Sequence, residues 1–217
     1  MPPPQHQRPH KHHIRPATTH PQNKDSALIL AFTDSQLPHL ARVGSSEQWG
    51  TKPVSTDPAK QEKYQKLVSR SESPQNTWGK DWIQISILEI EIEGGVEGLP
   101  EGIRDLATTN NITTTADTGD DNDEAGPPSS SSPHRLPIAA LILSGQSPDY
   151  TRPVIPEQDS ADPFLYLQFL VTDRRVGDLS RGAGGILLEF ADGVARALGV
   201  GRVVLDGWKG GGGGLVG

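Results

Sequence analysis

The residues from Leu170 to Trp208 read LVTDRRVGDLSRGAGGILLEFADGVARALGVGRVVLDGW. They begin at the end of the apolar run FLYLQFLVT, residues 164–172, which is typical of a central strand buried on both faces. A polar loop containing glycine follows, then a segment with apolar residues at helical spacing, then the second apolar run GRVVLD. This order predicts a strand, a loop, a helix and a second strand.

The helix is predicted by one continuous stripe of apolar side chains. It should begin near Gly184 and end before Gly199, because glycine suits the position that follows a helix. The stripe consists of Ile186, Leu187, Phe190, Val194, Ala197 and Leu198.

The first turn of this helix coincides with RGAGG, residues 181–185. Small residues let a ligand approach the main chain, and the first N–H groups of a helix have no partner within it. These N–H groups and the positive end of the helix dipole favour an anion, most often a phosphate. Arg181 can add a charge-assisted contact. The sequence therefore predicts an anion site at this turn.

Two common phosphate-binding motifs fit this stretch less well. A nucleotide P-loop needs a Gly-Lys pair followed by Ser or Thr at the helix start, and RGAGGILL contains no lysine. A dinucleotide-binding unit is closer, with Gly182, Gly184 and an acid, Asp206, after the next strand. However, Leu187 occupies the third small position, and Gly182 follows Thr172 by ten residues instead of a tight turn. Dinucleotide binding stays as the weaker alternative.

The arrangement resembles the GNAT superfamily of N-acetyltransferases, in which a strand is followed by a Q/R-x-x-G-x-G/A loop and a helix. In one register the two glycines are Gly182 and Gly184, and the initial position is Leu179, with Arg181 nearby. In the other register Arg181 comes first, Gly184 follows, and Ile186 takes the last small position.

Three further segments resemble a fungal-type member of this superfamily. IRPAT, residues 14–18, is similar to its first strand, and DSQLPHLARVGSSEQWG, residues 34–50, is similar to its first helix. VVLDGWKGGGGGLVG, residues 203–217, is similar to its fifth strand and the following turn. The superfamily continues with a helix and more strands, so the resemblance implies a domain truncated at its C-terminus.

The resemblance implies an α/β fold with a mixed, mostly antiparallel sheet flanked by helices, lacking the last helix and strands. It also implies acetyl-CoA as co-substrate, with its pantetheine arm along Leu170, Val171 and Thr172 where two strands part. An N–H near Leu170 or Val171 would then stabilise the oxyanion during direct attack by an amine. The pyrophosphate would lie on the main chain of Arg181, Gly182, Ala183, Gly184, Gly185 and Ile186.

The resemblance does not identify catalytic residues. Glu47 and Asp173 are candidate bases, although a cap or a loop hydrogen bond explains each equally well. Trp49 and Trp82 are candidates for lining an acceptor pocket or for the core. His39 and His134 are read as surface residues.

The remaining elements follow from local patterns. A strand is predicted from Ile14, and a helix over TDSQLPHLARVG with Asp34 or Ser35 as its cap and Pro38 in its first turn. A second helix, DPAKQEKYQKLVSRSE, has Asp57 as cap, Pro58 at its first position and an apolar stripe of Tyr64, Leu67 and Val68.

Two further strands precede the run at 164–172. In DWIQISILEIEIE the apolar face changes between Ile87 and Leu88, which predicts a bulge or burial on both faces. LPIAALILSG, from Leu136, is apolar throughout.

Residues 1–12 are rich in Pro and His and are predicted to form a disordered tail before a domain over 13–217. His6, His10, His12 and His13 are interpreted as part of this solvated tail, and no metal is expected. Residues 94–133 lose periodicity and contain five acids between Asp117 and Glu124, which predicts a disordered acidic insertion.

The 217 residues carry a net charge of −7, which argues against nucleic-acid and anionic-membrane binding. The N-terminus lacks a signal-peptide core, no apolar run approaches a membrane span, and cysteine is absent. A cytoplasmic or nuclear location is therefore expected. The predicted function is acetyl transfer from acetyl-CoA to a small amine or peptide. A non-catalytic module of the same fold and an inactive fragment are the alternatives.

Overall fold

The computed structural model describes residues 10–47, 49–92, 97, 99, 101–104, 134–155 and 157–207. One five-stranded sheet forms its centre. The strands are β1 (His12–Pro16), β2 (Ile83–Ile92), β3 (His134–Ser144), β4 (Phe164–Thr172) and β5 (Arg202–Val204). They lie in the order β1-β2-β3-β4-β5; the first four are antiparallel, and β5 is parallel to β4. The expected mixed, mostly antiparallel α/β fold is confirmed.

Three helices cover the two faces of the sheet: α1 (Asp25–Arg42), α2 (Pro58–Glu72) and α3 (Ala183–Ala197). α1 and α2 pack on one face against Ile83, Ile85 and Ile87. α3 packs on the other face with Leu88, Ile90 and Ile92. None of the helices in the described ranges is long and apolar enough to cross a membrane.

Burial on both faces, one of the two predicted explanations, accounts for the change of apolar face in β2: Ile87 and Leu88 are fully buried on opposite faces. The register between β2 and β3 does shift between Leu88 and Glu89, but not through a bulge in β2. The extra residue belongs to β3: Leu88 pairs with Ala139 and Glu89 with Pro137, leaving Ile138 as the bulge residue.

The predicted start of α1 is wrong. The helix begins at Asp25, nine residues before Asp34, because Leu28, Ile29 and Phe32 bury an additional apolar turn. Asp34 lies inside the helix, and its carboxylate accepts from the N–H groups of Val54 and Ser55 at 2.6 and 3.2 Å. Pro38 is therefore an interior residue and not part of a first turn.

α2 and α3 have the predicted bounds to within one residue, and Asp57 caps α2 by accepting from Ala59 N–H at 2.9 Å. The buried line of α3 differs from the predicted stripe. It runs through Ala183, Leu187, Ala191 and Ala195, while Ala197 is exposed, because small residues let the helix approach the sheet closely.

The two predicted disordered segments lie mostly outside the described residues. His12, assigned to the tail, is the first residue of β1. Within 94–133, residues 101–104 form a helical turn, and Leu99 and Ile103 pack on the α3 face of the sheet. This described part of the segment thus belongs to the domain.

Candidate functional site

The open edge of β4 is the central feature of the site. β5 pairs with β4 at three positions only, the last being Tyr166 with Val204. β4 continues to Thr172, paired with β3 on its other side. From Leu167 onward the β5-facing edge of β4 has no strand partner among the described residues.

A bulge in β4 lies just past the point where the strands part. Leu167 pairs with Leu143 of β3 and Phe169 pairs with Ile142, so Gln168 is an extra residue in the ladder. A bulge bends its strand and disrupts pairing locally. No feature of the apolar run FLYLQFLVT indicates it, except that Gln168 is its one polar residue before Thr172.

The main-chain directions along β4 can be assigned from two hydrogen bonds. Asp173 N–H donates to Ile138 of β3 at 2.7 Å, whereas the carbonyl of Thr172 accepts from Gln36 Nε2 of α1 at 2.5 Å. Because successive residues of a strand alternate, Val171 faces β3 and Leu170 faces the open edge. Of the three residues predicted to line the pantetheine arm, Leu170 is the one that keeps its polar main-chain groups free in the described structure.

The start of α3 supplies a second set of free donors. Two of the six predicted N–H groups are already used: Arg181 donates to the Asp178 carbonyl at 3.1 Å and Ile186 to the Gly182 carbonyl at 3.2 Å. The N–H groups of residues 182–185 have no acceptor in the described part of the chain. Gly182 takes the left-handed conformation with φ 80°, which glycine adopts at little cost.

The two sets of main-chain groups belong to neighbouring parts of the fold, because the start of α3 contacts the side chain of Leu170. A Cβ placed on Gly184 would lie 3.7 Å from Leu170 Cδ2, so the helix start packs directly on the open segment of β4. A Cβ on Gly185 would have no heavy atom within 4 Å. The side-chain direction at Gly185 is therefore open.

The loop between β4 and α3 is held by buried charge. Asp173 is 1% exposed and accepts from the N–H, Nε and Nη2 of Arg175 at 3.0, 2.8 and 2.8 Å. Asp173 thus acts as a loop cap, the structural one of its two predicted roles. Arg181, by contrast, is exposed and pairs with the exposed Asp178 at 2.5 Å, a contact that costs little to exchange.

A cavity of about 330 Å³ opens on the α2 side of the same β4 segment. Its lining residues with polar or charged groups are Lys63, Tyr64, Tyr150 and Gln168. Its remaining walls are Leu67, Ile142, Pro148 and Phe169.

Of the two tryptophans that were candidates for an acceptor pocket or for the core, Trp49 lies next to this cavity. Its ring centroid is 6.0 Å from that of Phe169, and Tyr64 meets the same ring edge-on at 6.3 Å. Trp82 is buried on the α3 side of the sheet, 5.2 Å from Trp78, and is a core residue.

Asp206 lies at the mouth of the parted strands and accepts from two phenols. Tyr150 Oη donates to it at 3.1 Å, and Tyr166 Oη donates to its other oxygen. Burial and the Asp206 carboxylate raise the pKa of Tyr166, and partial desolvation raises the pKa of Tyr150. Both phenols thus remain protonated at neutral pH. Sequence reasoning found Asp206 but not the tyrosines, which are 56 and 40 residues away from it.

The other candidates are not among the residues that line the cavity. Glu47 is exposed after α1, and His134 begins β3. His39 lies near the end of α1, where desolvation and the nearby Arg174 and Arg42 lower its pKa. Within the described ranges no three His, Asp or Glu side chains are grouped as metal ligands.

No protein-family model and no curated protein matches this chain. Among solved structures, it is similar to a tetramutant of the BH1408 protein from Bacillus halodurans, with 12% identity over 90% of this chain and 83% of that chain and a TM-score of 0.45. A single-site mutant of the same protein is 13% identical over 90% of this chain and 82% of that chain, with a TM-score of 0.43. An acetyltransferase from Trypanosoma brucei is 12% identical over 92% of this chain and 84% of that chain, with a TM-score of 0.39. At such low identities and scores, function has to be argued from the site itself.

Proposed function

We propose that this chain is a GNAT-like domain that binds acetyl-CoA at the open edge of β4 and transfers the acetyl group to an amine. One observation carries the proposal: the helix start with unpartnered N–H groups at residues 182–185 packs on Leu170, whose main-chain edge is free where β5 leaves β4. A ligand with an anionic end and an amide-bearing arm satisfies both sets of groups.

The described residues fit such a ligand. A diphosphate suits the N–H groups of residues 182–185, because the helix dipole favours an anion and Gly185 leaves the approach open. Arg181 can exchange Asp178 for a phosphate oxygen. A peptide N–H of a pantetheine arm can donate to the free C=O of Leu170, as an added strand would.

The chemistry follows from the same geometry. Acetyl-CoA supplies an acyl group activated as a thioester: the neutral amine attacks the carbonyl carbon, the C–N bond forms, the C–S bond breaks, and CoA leaves as the thiol with the proton that the amine loses. The N–H of Leu170 is the donor placed to polarise the acyl carbonyl, and the cavity beside Phe169 leaves room for an amine on the other side of the strand. Positioning of the two reactants supplies much of the rate in such a site.

The weaker alternative, dinucleotide binding, is disfavoured by the described fold. β1 to β4 are antiparallel, whereas dinucleotide-binding domains have a mostly parallel sheet. Leu187 is fully buried where that motif requires a small residue, and the Asp206 carboxylate already holds two phenols.

Calorimetric titration with CoA tests the binding half of the proposal. We expect saturable binding at one site per chain, competed by acetyl-CoA but not by NAD. A folded protein that releases no heat with CoA would refute it. Acetylation of amines by the CoA-binding protein then separates an enzyme from a non-catalytic module, which would bind CoA without turnover.

A further inference from the structure

We infer that the acceptor is a primary amine carried on an aromatic arm, and that polyamines and other polycations are poor acceptors. This inference rests on the proposed function. It names the class of molecule that the cavity between α2 and β4 admits.

The cavity adjoins the proposed acyl site through a single peptide group. The Phe169 side chain forms part of its wall, and the next residue is Leu170, whose main chain lies on the open edge. The helix start that receives the anion is on the opposite face, against Leu170 Cδ2. A molecule in the cavity therefore approaches the free edge from the side away from the diphosphate.

The walls of the cavity are suited to a flat apolar group. Phe169 is flanked by Tyr64 and Trp49 at ring distances of 6.3 and 6.0 Å, the separation of interacting aromatic pairs. Pro148 and Ile142 add aliphatic surface. The Gln168 amide and the Tyr64 hydroxyl are neutral polar groups that can orient an amine, since burial raises the pKa of Tyr64. A few polar groups in an apolar cavity are typical of a small-molecule site.

The charge of the lining excludes polycations. Lys63 is the charged side chain among the described lining residues, and they include no carboxylate. Lys66, by comparison, is paired with Glu62 at 2.6 Å. Asp206, near Tyr150, is already hydrogen-bonded to two phenols. Repulsion from Lys63, which no anion in the described lining compensates, grows with the number of ammonium groups, so it opposes a polycation more than a monoamine.

The first test compares two amines on the full chain, with and without saturating CoA. In calorimetry, 2-phenylethylamine should bind at least about tenfold more tightly than spermidine. Acetylation rates of the two amines should follow the same order. The CoA titration reports separately on the proposed function. If CoA binds but spermidine is preferred, or if 2-phenylethylamine does not bind in either condition, the inference is overturned while the proposed function stands.

Two pairs of variants localise the effect. Phe169→Leu should weaken 2-phenylethylamine binding about fivefold and leave CoA affinity within about twofold. Its control, Phe190→Leu, changes a half-buried ring of α3 on the other face and should leave amine binding unchanged.

Lys63→Glu should raise the affinity for spermidine about tenfold. Lys60→Glu makes the same charge change one turn earlier on α2, outside the cavity lining, and should have a much smaller effect. Equal effects of the two lysine variants, or an unchanged amine affinity in Phe169→Leu, would place the amine elsewhere.

Discussion

At the scale of one residue, Gly185 is the position that tests the proposed anion site most directly. It occupies the third position of α3 with a helical main chain and open space where a Cβ would be. The fold gains nothing from glycine here, since alanine is the better helix former. Under the proposed function, the glycine leaves room for a ligand that approaches its N–H.

We therefore predict that Gly185→Ala separates stability from binding. The free energy of unfolding should stay the same or rise by up to about 0.5 kcal/mol. The CoA affinity should fall about tenfold or more, because the added methyl group blocks the anion. Denaturant unfolding and calorimetry measure the two effects. Gly193→Ala, in the interior of the same helix with no atom near its Cβ position, should leave CoA affinity unchanged; equal affinities in all three proteins would exclude residue 185 from the anion site.

Arg15 is the second residue whose role is local and sharply defined. Its guanidinium contacts Asp25 at 2.6 and 2.8 Å and Glu89 at 2.6 Å, and both carboxylates are nearly inaccessible to solvent. These carboxylates raise the pKa of Arg15 despite the opposing effect of burial. The group ties β1 to β2 and to the start of α1.

Arg15→Met should destabilise the protein by about 3 kcal/mol, because it leaves two buried carboxylates without their cation. Denaturant unfolding at neutral pH measures the loss. Arg42→Met, at an exposed position at the end of α1, should change stability by less than about 0.5 kcal/mol. If Arg15→Met lowers the free energy of unfolding by less than about 1 kcal/mol, water must solvate the two carboxylates in place of the guanidinium.

At the scale of elements, the junction between β2 and β3 depends on close main-chain contact. Gly145 N–H donates to the carbonyl of Trp82 at 2.9 Å, and a Cβ on Gly145 would lie 1.8 Å from the Gly79 carbonyl oxygen. Neither main-chain segment can move without disturbing the ends of these central strands.

Gly145→Ala should accordingly lower the free energy of unfolding by more than about 2 kcal/mol, a typical penalty for overpacking a well-packed site. Thermal or denaturant unfolding measures it. Gly201→Ala, where a Cβ meets no atom within 4 Å, is the matched control and should cost little. Similar stabilities of the two variants would mean that the junction is looser than described.

The end of α2 is tied to the segment after β1 by Glu72. Its carboxylate accepts from Thr18 Oγ1 and from Thr19 N–H at 2.8 Å. The Thr18 hydroxyl is the main cause that lowers the pKa of Glu72 below its ordinary value of 4.5.

This shift predicts a contribution to stability that depends on pH. Because the folded-state pKa is below 4.5, the contribution is present above that pH and is lost as the pH falls through the folded value. Glu72→Gln should therefore be less stable at about pH 6 and show a flatter decline towards about pH 3. Unfolding free energies across this range test it, with the exposed Glu189→Gln as control; parallel curves for Glu72→Gln and the parent protein would contradict the assignment.

At the scale of the whole molecule, the sheet separates the two halves of the site. α3 and its free N–H groups lie on one face, and the cavity beside α2 lies on the other. The parting of β5 from β4 connects them. A ligand at this junction contacts both faces and should stabilise the entire domain.

CoA at a hundred times its dissociation constant should raise the free energy of unfolding by about 2.7 kcal/mol. For a domain of this size the thermal midpoint should rise by roughly 5–10 °C. Thermal unfolding over a series of CoA concentrations measures the rise, which should be smaller at equal concentration for Gly185→Ala. A midpoint independent of CoA would rule out binding to the native state.

Several elements could be predicted from sequence because their signals are local. The caps Asp57 and Pro58 locate α2, the apolar periodicity and Gly199 locate α3, and continuous apolar runs locate β2, β3 and β4. Each signal acts over a few residues, through one hydrogen bond or one buried face.

The start of α1 was missed for the opposite reason. Asp34 has the side chain of a helix cap, yet it caps Val54 and Ser55, 20 and 21 residues further along the chain. An acceptor side chain identifies a free N–H only when the two are close in space, and that distance is not written in the local sequence.

By itself, the sequence determined the identity and order of the strands and helices, and it located the glycine-rich helix start, because hydrophobic periodicity and backbone preference act locally. The tertiary structure alone decided that β5 leaves β4 after Tyr166, that Gln168 is a bulge and that Leu170 keeps a free main-chain edge. These features depend on pairings between distant segments, such as Gln36 with Thr172, 136 residues apart. No short stretch of sequence records which partner a main-chain group finds across such a separation.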